Sequence, residues 1–115
     1  MSNTDTGIDV CALADLDEVD ARGFEYEIDQ PREGFIVRRG EGLFAYRNIC
    51  PHAGNRLNWK PDAFLSKKRD LILCSVHGAI FDIGTGKCVD GPCPGRSLSP
   101  LRVELVKGRV VVHPD

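Results

Sequence analysis

A chain of 115 residues with 42% hydrophobic content and a net charge of −2 can bury one core, and it carries too little charge to be drawn to nucleic acid or anionic membrane by charge alone. Its clearest uninterrupted apolar runs, Leu71-Ile72-Leu73-Cys74 and Val110-Val111-Val112, fall far short of the ~20 residues a membrane-spanning helix requires. The N-terminal MSNTDTGID is polar and acidic, without the basic and apolar regions of an export signal, so a cytoplasmic, reducing location is expected.

The chain reads as many short strands. Ala12 to Val19 (ALADLDEV) has some helical periodicity, and a short extended or single-turn segment suits it equally. FIVR (35–38) and LFAYR (43–47) are apolar runs split by Arg39-Gly40-Glu41-Gly42, a hairpin signal. WKPDAFLSKKRD (59–70) interrupts the pattern as an excursion, with one helical turn expected after Pro61 and a basic closing turn at Lys67-Lys68-Arg69. LILC (71–74) and AIFDI (79–83) lie either side of His77-Gly78, and the turn-rich GTGKC and GPCPGRSLSP follow. LRVELV and RVVVH then flank Lys107-Gly108, a second hairpin signal. There are no repeats and no low-complexity tract, so a single all-β domain over 1–115, sandwich or barrel-like, is predicted.

Five cysteines (Cys11, Cys50, Cys74, Cys88, Cys93) in a cytosolic chain point to metal binding or catalysis before a disulfide framework. Two of them stand beside two of the three histidines, as Cys50-x-His52 and Cys74-x-x-His77. Each pair follows an apolar run and is followed by glycine, Gly54 or Gly78. The picture is two loops at strand ends, each presenting one thiolate and one imidazole. A single zinc ion requires all four groups at one point. Residues i and i+2 of extended chain point the same way roughly 6.5 to 7 Å apart, which suits a two-metal cofactor better, although turns can close the gap. Two cysteines on one iron and two histidines on the other is the ligation of a Rieske [2Fe–2S] centre.

Cys50-Pro51-His52 and Cys74-x-x-His77-Gly78 resemble the two cluster-binding boxes of the Rieske iron–sulfur family. VCALADL (10–16) resembles the opening strand of Rieske-type ferredoxins, FDIGTGKCVDGPCPG (81–95) the segment with the proline loop that covers the cluster, and SPLRVELVKGRVVV the closing hairpin. The resemblance spans nearly the whole chain. It implies stacked antiparallel sheets with a small cluster-binding subdomain at about 47–97. It further implies Cys50, His52, Cys74 and His77 as ligands of a Rieske-type [2Fe–2S] cluster, with Gly54, Gly78 and Pro92 in the loops around it. The gap from His52 to Cys74 exceeds the family's usual length because of the 59–70 excursion.

In the family's respiratory branch each box carries an extra cysteine and the two form a disulfide. The corresponding sites here are Asn55 and Ser75/Val76, so that bridge is not expected. A serine and a tyrosine whose hydroxyls bond cluster and cysteine sulfur in that branch correspond here to Ala79 and Phe81. Without those bonds the reduced cluster is less stabilised, and a potential between about −150 mV and around zero is expected.

Other residues are weighed more plainly. Cys88 and Cys93 are either thiols beside the cover loop or, less simply, a redox pair. Cys11 fits a small buried side chain. Arg56 is a candidate partner contact, with a solvated hairpin charge as the plain alternative. Trp59 and Phe64 are expected to pack the excursion onto the domain, and His113 to be exposed.

The resemblance implies a soluble, monomeric ferredoxin that carries one electron from a flavoprotein reductase to a terminal oxygenase and is not itself an enzyme. A terminal oxygenase adds a mononuclear iron on two histidines and a carboxylate, and after cluster ligation only His113 remains here. The alternatives are an accessory subunit similar to the small subunit of nitrite reductase, and a colourless zinc-stabilised binding module.

Overall fold

The computed structural model describes residues 7–17, 20–27, 30–51, 54–58, 62–66, 68, 70–75, 78–91 and 95–113. Among these the strands are β1 (Ile8–Ala12), β2 (Ala21–Glu27), β3 (Pro31–Arg39), β4 (Gly42–Arg47), β5 (Leu71–Leu73), β6 (Ile80–Asp82), β7 (Cys88–Asp90), β8 (Pro100–Val106) and β9 (Arg109–His113). A single 3-10 turn, Leu13–Leu16, follows β1 where the sequence left helix and extended chain open.

All pairings are antiparallel, in a six-stranded sheet ordered β1-β9-β8-β4-β3-β2 and a three-stranded sheet ordered β5-β6-β7. Both predicted hairpins form. Arg39 pairs with Gly42 across Gly40-Glu41. Val106 pairs with Arg109 across Lys107 (φ 51) and Gly108 (φ 79), the two consecutive left-handed residues that match strand twist in a tight hairpin.

The larger sheet narrows at its middle, where β4 and β8 pair through Ala45↔Leu101 and Tyr46↔Pro100. Strand β3 is buried on both faces. Phe35 and Val37 point into a core shared with Ile72, Phe81, Ile83 and Cys88 of the small sheet and its flanks. Ile36, between them, points into a second core with Cys11, Leu16, Val110 and Val112. Two cores on opposite faces of one strand produce three stacked layers. Cys11 is buried as expected, and burial pushes its thiol above the ordinary range.

The structure adds elements to the strands expected from the apolar runs. β2 (ARGFEYE) carries a four-residue alternation, Phe24-Glu25-Tyr26-Glu27, that those runs leave out, and it pairs with β3 along its whole length from Ala21↔Val37 to Glu27↔Pro31. β3 begins four residues before the apolar run, at Pro31, which is tolerated at a strand's first position. β7 emerges from the turn-rich GTGKC.

Two expectations need correction. Instead of a helical turn, residues 62–66 form a tight turn at Asp62 (φ 64) followed by extended chain, with Leu65 bridged to Ile72. Tertiary anchors decide this. Asp62 Oδ1 accepts the Gly23 N–H at 2.8 Å, and Phe64, 1% exposed, stacks on Phe35 at 4.4 Å between centroids. The closing turn through Lys68 is present, secured by Ser66 N–H to the Leu71 carbonyl at 2.9 Å. Trp59, Pro61, Lys67 and Arg69 lie outside the described residues.

The second correction is His113, which is buried at 9% exposure with Nε2 2.7 Å from Glu104 Oε1. Arg102 pairs with His113 and Glu104 with Val111, so the imidazole and carboxylate are diagonal neighbours across β8 and β9.

Candidate metal centre

Cys50 stands three residues beyond β4 and Cys74 directly after β5, and both are completely buried in the same core. The backbone around them follows one pattern twice. Cys50 N–H donates to the Asn55 carbonyl and its own carbonyl accepts from Gly54 N–H, both at 2.8 Å. Cys74 N–H donates to the Ala79 carbonyl at 2.8 Å, and its carbonyl accepts from Gly78 N–H at 2.9 Å. Gly54 (φ 77) and Gly78 (φ 74) supply the left-handed residue that closes each turn. By sequence, His52 and His77 fall inside these two closures, and both lie outside the described residues.

The loops are also fastened to each other. Ser75 sends both its N–H (2.9 Å) and its hydroxyl (2.8 Å) to the Leu57 carbonyl. The Asn55 side-chain amide donates across to Cys74 Sγ at 3.6 Å. Asn48, a polar residue only 5% exposed, closes the first loop at its base. Its Oδ1 accepts the Leu57 N–H at 2.8 Å and its Nδ2 donates to Asn58 Oδ1 at 2.9 Å.

The segment after the small sheet reaches back to both loops. The Arg96 guanidinium donates to the Pro51 carbonyl at 2.8 Å. Gly91 (φ 99) passes so close to the second loop that a Cβ there would stand 2.7 Å from Ala79 Cα. Ala79 and Phe81, both fully buried, bring no hydroxyl to the site. Pro92 and Cys93 lie outside the described residues, and with Cys93 the question of its pairing with Cys88. Cys88 is buried and its thiol donates to the Asp90 carbonyl at 3.2 Å. Arg56, with a side chain 69% exposed, forms an ion pair with Glu33.

Asn48 and Arg96 stand outside the sequence motifs, and Ser75 stands in them only as a position where the respiratory branch carries cysteine. Asn48 carried a signal, an asparagine between a strand and a cysteine turn, where its side chain commonly bonds nearby backbone. Arg96 reaches 45 positions along the chain, and nothing local announces that.

Two buried sulfurs are supplied by adjoining turns of the same design, and an amide N–H is aimed at one of them, a set that fits a thiolate-bound metal, iron or zinc. The described residues contain no group of three ligating side chains, and the two motif histidines are not among them.

A family model described as the Rieske [2Fe-2S] domain matches residues 7–110. The chain is 27% identical over 93 residues to the menaquinol:cytochrome c reductase iron-sulfur subunit of Bacillus subtilis (strain 168), a match covering 81% of this chain. It spans about half, 52%, of that relative's length. Among solved structures, the ferredoxin of carbazole 1,9a-dioxygenase from Nocardioides aromaticivorans IC177 superposes with a TM-score of 0.73 at 24% identity, covering 96% of this chain and 99% of that one. A chain from a structure titled the reduced complex between oxygenase and ferredoxin in carbazole 1,9a-dioxygenase superposes with a TM-score of 0.77 at 17% identity, over 94% of this chain and 28% of that one. These superpositions match the fold described above.

Proposed function

Because the chain belongs to the Rieske [2Fe–2S] domain family, we propose that it is a one-electron carrier whose cluster is held by Cys50, His52, Cys74 and His77. The observation that carries this reading is the repeated turn that buries Cys50 and Cys74 in one core. When bound, the cluster supplies a site that accepts and releases a single electron. The chain's own residues do the rest. Cys50 and Cys74 bind as thiolates, Gly54 and Gly78 shape the loops, and Asn48, Ser75 and Arg96 hold those loops in place. Core side chains around both sulfurs exclude water. No acid, base or substrate pocket is required, which fits a redox component that is not itself an enzyme.

The cluster-holding part is assigned to about residues 47–97, where both loops, the small sheet and the covering segment lie. The proposed partners are a flavoprotein reductase and a terminal oxygenase, with Arg56 a contact beside the first loop and the carrier a cytoplasmic monomer when isolated. The full-length superposition on a dioxygenase ferredoxin supports this assignment. A second reading, a permanently bound subunit, is favoured by the resemblance to a reductase's iron-sulfur subunit. Co-purification with a large partner separates the two. No described helix is long and apolar enough to cross a membrane. With Ala79 and Phe81 contributing no hydroxyl, the potential is placed between about −150 mV and around zero.

The deciding experiment is the visible spectrum of protein purified without oxygen, followed by EPR after dithionite. A brown protein with a rhombic signal of low average g is expected, and Cys50→Ser or His77→Ala abolishes it. A colourless protein holding stoichiometric zinc, even after iron reconstitution, overturns the proposal.

A further inference from the structure

The geometry points to Asn55 as a potential-setting residue whose side-chain amide donates to the sulfur of Cys74 and raises the reduction potential of the centre. The inference rests on the cluster reading above. It turns on which way the Asn55 amide faces. Nδ2 carries two hydrogens, and two acceptors lie beside it: the Arg56 carbonyl and, at 3.6 Å, Cys74 Sγ. Oδ1 is buried and no described donor reaches it. Turning the amide over would bring Oδ1 against a carbonyl and a sulfur, both electron-rich, and would leave both donors unused. The observed orientation leaves one acceptor without a donor among the described residues and points both donors at negative partial charge.

Asn55 also has a fixed backbone. Its carbonyl accepts the N–H of Cys50, so one residue bonds the first cysteine through its main chain and the second through its side chain. That places a neutral dipole, positive end inward, on a cysteine sulfur of the other loop. When an electron enters, the thiolate sulfur becomes more negative, and a hydrogen bond to a charged acceptor strengthens with that charge. The reduced state therefore gains more from Asn55 than the oxidised state does, and no proton changes place. Ser75 shows the contrast. It ties the same loops together through the Leu57 carbonyl, with its hydroxyl hydrogen bonded to that oxygen rather than to a sulfur.

The test is redox titration of the holoprotein followed by EPR, comparing wild type with Asn55→Leu, Asn55→Ala and Ser66→Ala, which removes a hydrogen bond to Asp70 outside both cysteine loops. Both Asn55 variants should shift the reduction equilibrium about tenfold against the reduced state, a fall of about 59 mV for one electron. Ser66→Ala should leave the potential where it was. Unchanged potentials in the Asn55 variants, or an equal fall in Ser66→Ala, would overturn the assignment. If neither Asn55 variant retains a cluster, pulsed EPR of reduced wild type labelled with nitrogen-15 at asparagine Nδ2 decides. A weak hyperfine coupling is expected, and its absence rejects the inference. A wild type without the rhombic signal instead fails the cluster reading itself, so the two failures are distinguishable.

Discussion

The phenol of Tyr46 donates a 2.6 Å hydrogen bond to the main-chain carbonyl of Ile83, fastening β4 to the turn that leaves β6. Tyr46 is 3% exposed, and burial, reinforced by the negative charge of Asp82, pushes its hydroxyl from 10 up to about 12. The unfolded chain ionises first as pH rises, so above pH ~10 it binds fewer protons than the folded protein and unfolding becomes easier. Stability is therefore complete below pH ~10 and declines towards pH 12, by an amount on the order of 2 kcal/mol. Tyr46→Phe should lose about 1–2 kcal/mol at neutral pH, the value of a buried hydrogen bond, and should lack the alkaline decline. Urea unfolding curves from pH 7 to 11.5 should accordingly converge. Parallel curves would mean that another group titrates.

Asn48 holds the base of the first cysteine loop. Asn48→Ala leaves the Leu57 N–H without its acceptor inside a closed structure, a cost of about 2 kcal/mol. The free energy of unfolding from chemical denaturation should fall by that amount, with a correspondingly lower midpoint, and cluster loss in air should accelerate. Asn48→Asp retains an acceptor for Leu57 and should recover part of the stability.

Gly91 carries a double constraint, a φ of 99° and a backbone neighbour 2.7 Å from any added Cβ. Gly91→Ala must displace either the covering segment or the second loop. A loss of about 2 kcal/mol or more is expected from strain and collision together. Gly40, also left-handed but with open space around its Cβ position, is the control, and Gly40→Ala should cost only its backbone strain of about 1 kcal/mol.

Phe64 carries the 62–66 segment into the core by stacking on Phe35 with ring planes 9° apart. Phe64→Ala should cost about 3–5 kcal/mol as a buried aromatic truncation. Cluster EPR of the surviving folded fraction should change its line shape, because Phe64 shares the core of Cys50 and Cys74 and its carbonyl accepts the N–H of Leu73, next to Cys74. An unaltered signal would show that the segment does not shape the centre.

The two cysteine turns were legible from the chain itself because their signals are local. Cys50 and Cys74 are each followed by a glycine, Gly54 or Gly78, and both glycines adopt left-handed backbone, while the paired His52 and His77 lie outside the described residues. The Lys107-Gly108 and Gly40-Glu41 hairpins were legible for the same reason. β2 was missed because its alternation, Phe24-Glu25-Tyr26-Glu27, is short and preceded by Arg22 and Gly23, and the ladder that β3 offers extends it to seven residues. The excursion read as a helical turn because nothing within it reveals that Gly23 and Phe35 wait for Asp62 and Phe64. His113 looked like an exposed tail residue for want of any local hint of Glu104.

By itself, the sequence determined the antiparallel β character and the two glycine-closed cysteine turns, since residue type, short spacing and turn preference act within a few positions of the chain. Only the tertiary structure decided how those loops are held. Asn48 reaching Leu57, Ser75 reaching the Leu57 carbonyl, Arg96 reaching Pro51 and Asn55 turning its amide toward Cys74 are pairings between elements that folding brings together. A hydrogen bond between segments depends on where packing puts its two ends, and packing is a property of the whole core.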